Sequence, residues 1–192
     1  IETTRHILDA GADIDEATTE HGTALVIASA GGHEDLALFL LSKGADTKAM
    51  DENGVTPLHH AIQNGLASLY GITYDPVYRV RPDNMPRLAR ALLETGTDPN
   101  LRISKSYYIG PAIRDACESV SDMVGATPFM LAAISADVDL LHLLEVYEAD
   151  PELGTSDGTT PLMVAARASC NGSNQQHNLA NSKLESSLQA VQ

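Results

Sequence analysis

Short apolar stretches with helical spacing alternate along this chain with turns marked by Gly and Asp, and no apolar run is long. Leu58, Ala61 and Ile62 follow Thr56-Pro57, and Phe129, Ala132 and Ala133 follow Thr127-Pro128. Spacings of three and four put each set on one face of a helix. Thr before Pro predicts the helix start, because the Thr hydroxyl can cap free amides and Pro lacks an N–H where none could be paired. Thr160-Pro161 marks another such start. These first helices are short and rich in Ala, which lets neighbouring helices approach closely. A turn such as Gly31-Gly32-His33 then leads to a second helix with larger apolar groups, Leu36, Phe39, Leu40 and Leu41. Gly44 ends it as a left-handed cap, a role predicted also for Gly11 and Gly96.

The pattern has a period. Gly11-Ala12-Asp13 recurs as Gly44-Ala45-Asp46, and 44 − 11 is 33. Gly125-Ala126-Thr127-Pro128 recurs as Gly158-Thr159-Thr160-Pro161, again 33 apart, and Thr23 precedes Thr56 by the same 33. The two markers also keep phase, since the steps Asp13 to Thr23, Asp46 to Thr56 and Asp150 to Thr160 are each 10. In the middle the phase slips twice. Thr23 to Asp46 is 23, whereas Thr56 to Asp98 is 42; and Asp98 to Thr127 is 29 instead of 10. Each excess is 19, so two insertions interrupt a repeat that otherwise persists.

Thr56-Pro57-Leu58-His59-His60-Ala61 together with Gly44-Ala45-Asp46 resembles the ankyrin repeat family over residues 1 to 168. The placement of the inserts is similar to that in ankyrin arrays of environmental bacteria. The resemblance implies an all-α fold, a solenoid of stacked helix–turn–helix units with projecting β-turn or hairpin loops. No unit buries its own apolar face, so at least about three must stack. The expected division of a single domain 1–192 is a half repeat at 1–20, repeats at 21–53, 54–101 and 121–153, and a last repeat at 154–192. Residues 169–178 form a polar loop within that last repeat, ahead of a helix with Leu184, Leu188 and Val191 on one side. Both ends then fall inside repeats, as cuts from a longer array. The resemblance also gives His59 the family's structural role of tying the turn by hydrogen bonds. Two positions depart from the pattern: Glu148 stands where a C-cap Gly belongs, and the unit at 121–153 lacks Gly between its helices and offers Asp137 as cap.

Composition narrows the function. Twelve Lys and Arg face 26 Asp and Glu, a net charge of −14, which repels phosphate backbones and argues against DNA or RNA as partner. No apolar stretch approaches the roughly 20 residues of a spanning helix, so no membrane insertion is expected. Cys117 and Cys170 lack metal-ligand or disulfide-framework spacing and read as free thiols. Adjacent His59 and His60 diverge by about 100 degrees on a helix, which disfavours one shared metal ion. No Gly-rich phosphate loop follows a strand. Carboxylates such as Glu34-Asp35 and Asp51-Glu52 fall at helix starts and turn tips, where the helix dipole and solvent favour them. No catalytic residue, cofactor or metal is expected.

The inserts, 66–86 and 102–120, differ from the rest. They hold Tyr70, Tyr74, Tyr78, Tyr107 and Tyr108, five of the six Tyr. Arg79 and Arg81 balance Asp75 and Asp83 in the first; Arg102, Lys105 and Arg114 exceed Asp115 and Glu118 by one in the second. The remainder then carries −15. Tyr and Arg concentrate binding energy because they bury wide contact area with few rotors and keep a polar end. The expected function is a non-catalytic, monomeric protein-binding module. Its contact surface would combine Tyr70, Tyr74, Tyr78, Arg79, Arg81, Tyr107 and Tyr108 with turn-tip Asp51, Glu52, Val55, Ser156 and Asp157 and inner-helix Gln63 and Asn64. Two alternatives stand beside it: inserts that fold back with Tyr as core, and a scaffold segment of a larger enzyme or electron-transfer protein.

Overall fold

A computed structural model describes residues 1–19, 21–62, 84–105 and 124–168. Among these it holds eight α-helices and one two-stranded hairpin. In chain order they are α1 (Glu2–Asp9), β1 (Ala17–Thr18), β2 (Gly22–Thr23), α2 (Ala24–Ala30), α3 (Glu34–Ser42), α4 (Pro57–Ala61), α5 (Pro86–Glu94), α6 (Pro128–Ser135), α7 (Val138–Val146) and α8 (Pro161–Ala168). β1 and β2 are antiparallel, Ala17 opposite Thr23 and Thr18 opposite Gly22.

The Thr-Pro signals start helices as expected. Thr56 Oγ1 accepts from His59 N, Thr127 Oγ1 from Met130 N at 3.2 Å, and Thr160 Oγ1 from Met163 N at 3.4 Å. Gly11, Gly44 and Gly96 all sit at positive φ, 94, 90 and 85 degrees. At Gly44 the helix closes through Gly44 N to Leu41 O and Ala45 N to Leu40 O. Asp137 caps α7 through Leu140 N.

Packing follows two rows. First helices touch in sequence, α2 with α4, α4 with α6, and α6 with α8; α3 packs on α5, and each of α2, α4 and α6 packs on the second helix that follows it. Leu25, Leu58, Met130 and Leu131 on the first row and Leu40, Leu88, Leu92 and Leu144 on the second are buried in one continuous core. Burying a Leu side chain is worth about 2 kcal/mol, and the cluster that covers these residues runs through successive helix pairs.

Described residues border both expected inserts. Met85 is buried and its N–H donates to Ala61 O at 2.7 Å, so the chain re-enters the helix row beside the point where it left. Of the expected insert 66–86, Pro86 opens α5 and Met85 stands at its cap position. Ile103 is buried too, with Ile103 N donating to Ala126 O at 3.0 Å and Gly125 N to Ile103 O at 2.8 Å. Residues 102–105 thus join the loop row, with Ile103 paired to Gly125 and Ala126.

Candidate functional site

The loops that follow the second helices are laced to one another through the backbone. Asp51 N donates to Val55 O and Gly54 N to Asp51 O, while Asp51 Oδ1 accepts from Asn53 N and Val55 N, both at 2.9 Å. Asn53 O then takes Ser104 N and Lys105 N. Past the Ile103–Ala126 pairing, Ser156 N donates to Val124 O at 2.8 Å. Arg102 adds a staple, donating to Gly125 O and Gly154 O. Gly54 has φ 80 degrees, and a Cβ there would lie 2.8 Å from Ser104 N. Only Gly permits so close a crossing in that conformation. The tips are therefore held at fixed spacing.

His59 anchors this row to the helices. Its Nδ1 lies 3.2 Å from Thr56 N and 2.8 Å from Thr56 Oγ1, and its Nε2 lies 3.3 Å from Ala126 O. A backbone N–H can only donate and a carbonyl only accept, so the ring is neutral with its proton on Nε2. Burial, helped by the adjacent His60, pushes the His59 pKa down to about 3 against the opposing pull of the Ala126 and Leu101 carbonyls.

Beside the anchor lies a hollow of about 180 Å³ lined by His21, Val26, Ile27, Ala30, Asp51 and His60. Ile27 is 49% exposed at its rim. His60 Nε2 stands 3.9 Å from Asp51 Oδ2, beyond hydrogen-bond reach, and has no hydrogen-bond partner among the described residues. Burial lowers the His60 pKa to about 4 although Asp51 raises it, so the imidazole is neutral near pH 7. No group of three or more His, Cys, Asp or Glu among the described residues is arranged to hold a metal ion, and no helix there is long and apolar enough to cross a membrane.

A family model described as ankyrin repeats (3 copies) matches residues 1–72. Over those residues the chain is similar to the ankyrin repeat family. It is similar to the ankyrin repeat and KH domain-containing protein mask of Drosophila melanogaster, 45% identical over 51 residues, 26% of this chain and 1% of that protein. It resembles Rabankyrin-5 of Homo sapiens at 28% identity over 140 residues, 72% of this chain and 10% of the relative. Protein glp-1 of Caenorhabditis elegans is 26% identical over 176 residues, 85% of this chain and 13% of the relative. The chain thus spans at most about an eighth of these curated relatives.

The residues expected to form the contact surface fall into three groups. Glu52, Ser156 and Asp157 are exposed at loop tips, and half-buried Asp51 faces the hollow. Asp157 also holds its own loop, Oδ1 accepting from Thr155 Oγ1 at 2.6 Å and Thr159 N at 3.0 Å. Val55 is a correction. It is fully buried, because the turn closed by Asp51 points its side chain into the core. Gln63, Asn64, Tyr70, Tyr74, Tyr78, Arg79, Arg81, Tyr107 and Tyr108 lie outside the described residues.

Sequence reasoning passed over the hollow itself. In the sequence His60 stands out only as half of a His pair, and Ile27 sits at a position that the first-helix pattern makes apolar without showing that it faces outward.

Proposed function

We propose that this chain is a non-catalytic protein-binding module, a solenoid of the units 1–20, 21–53, 54–101, 121–153 and 154–192, which presents its concave face, loop tips and inserts to a partner. The observation that supports this reading is the backbone lacing of the loops, which fixes exposed Glu52, Ser156 and Asp157 at set distances beside exposed Ile27 and Met50. A rigid, part-apolar surface with polar tips loses little conformational entropy on association. Ankyrin repeats generally mediate protein–protein contacts, and the Tyr- and Arg-bearing inserts extend the same surface in this reading.

The test is affinity capture with the intact parent protein, followed by quantitative binding of the captured partner to two variants. Glu52→Lys combined with Asp157→Asn should weaken binding at least about tenfold. Joint replacement of Tyr74, Tyr78 and Tyr108 by Ser should weaken it without loss of the melting transition. Unchanged binding with a lost transition would instead make the inserts part of the core. An active catalytic domain elsewhere in the parent, unaffected by partner binding, would favour the scaffold reading.

A further inference from the structure

We infer that the hollow between α2, α4 and the Asp51 turn is a specificity pocket for one basic side chain, Lys or Arg, next to an aliphatic residue in a partner protein's segment. This rests on the protein-binding reading above and names the chemistry that one part of the surface selects. The carboxylate of Asp51 is divided in its duties: Oδ1 is spent on the amides of Asn53 and Val55, whereas Oδ2 accepts no hydrogen bond from any described residue. No described Lys or Arg pairs with Asp51. His60, the one Lys, Arg or His among the described residues within 4 Å of its carboxylate, is kept uncharged by burial and so does not neutralise it.

The walls complement that charge. Val26, Ile27 and Ala30 form an apolar lining on α2, suited to the methylene stem of Lys or Arg, whose charged head then meets Asp51 Oδ2. The neutral His60 ring behind that carboxylate tolerates a cation that a protonated His would repel. Exposed Ile27 gives an adjacent aliphatic side chain somewhere to rest. The chain's net charge of −14 attracts such a segment from a distance.

The intact chain is presented to a phage-displayed library of random peptides. Enriched peptides should carry Lys or Arg beside Leu, Ile or Val. A synthetic copy should lose affinity at least about tenfold when its basic residue becomes norleucine. The same loss is expected with Asp51→Asn, which keeps an oxygen for the amides of Asn53 and Val55 and therefore leaves the melting temperature unchanged, and with Ile27→Asp. Peptides that bind without a basic residue, or that ignore both variants, overturn the pocket while leaving protein binding intact. Peptides that bind only after Arg79→Ser and Arg81→Ser would show that the chain's own insert occupies the hollow, which also overturns it. No enrichment at all would sink both readings.

Discussion

Glu34 Oε1 accepts hydrogen bonds from the backbone N–H groups of Leu88, at 3.1 Å, and Arg87, at 3.0 Å, so α5 is capped by a residue from the preceding helix pair. Met85, the residue at the cap position of α5 itself, supplies no side-chain cap. Asn84 passes the link on, donating to Asp137 Oδ2 at 2.7 Å at the start of α7. The second helices α3, α5 and α7 are therefore linked at their amino ends by polar side chains, and α3 also packs on α5.

Glu34→Ala should lower stability by about 1–2 kcal/mol in urea titrations, since two helix amides lose a charged acceptor. Arg87→Ala should change it by less than about 0.5 kcal/mol, because its ion pairs with Glu34 and Asp35 involve an Arg side chain 66% exposed. Equal effects of the two would contradict the capping role.

His59→Ala should cost about 2–4 kcal/mol, combining a cavity with unpaired Thr56 N–H and Ala126 C=O groups. A loss below about 1 kcal/mol would show that the bond to Ala126 contributes little.

Acid should destabilise the fold through the same ring. His59 and His60 have folded pKa values lowered to about 3 and about 4 from 6.5. Below 6.5 the unfolded chain binds more protons, so their contribution is complete above pH 6.5 and falls as pH drops toward 4 for His60 and 3 for His59. The expected slope is roughly 1 kcal/mol per pH unit for each ring. In His59→Gln the part of the slope that belongs to this ring should vanish between pH 6 and 4; an unaltered slope would assign it to other groups.

Among the described residues two non-Gly residues occupy left-handed backbone, Ala136 at φ 53 degrees and Glu148 at φ 63 degrees. Replacing either by Gly relieves that strain but loosens the unfolded chain, for a net gain of about 0.5–1 kcal/mol each. Thermal melts of Ala136→Gly and Glu148→Gly should rise, whereas a fall would mean that the local turns are not strained.

The repeat phase was legible because its markers are backbone requirements: Thr-Pro at helix starts and Gly at φ near 90 degrees each admit few substitutes. Glu148 was visible as a departure for the same reason. Ala136 was not, since Ala carries no sign of left-handed backbone and only the Asp137 cap hinted at the turn. The cross-pair cap by Glu34 was hidden too, as its partner amides lie more than fifty positions away and are chosen by packing. Asp15 Oδ1 accepting from Asp46 N, and Asn100 Oδ1 from Asp150 N, repeat that lesson at the other end of the helices. Lys48, two residues past Asp46 as Asp15 and Asn100 are past Asp13 and Asp98, has no acceptor to offer. The outward course of Val55 failed as an expectation because a turn tip was judged from its sequence neighbours, while the bond from Val55 N to Asp51 Oδ1 decides where the side chain goes.

The account depends on neighbouring helix pairs supplying apolar contacts that none makes alone. Native-state hydrogen exchange on Leu131→Ala tests this most directly, because Leu131 is fully buried in α6, between α4 and α8. Faster exchange should spread beyond α6 and α7 to the amides of α4 and α8. Acceleration confined to α6 and α7, with α4 and α8 as protected as in the parent chain, would contradict it.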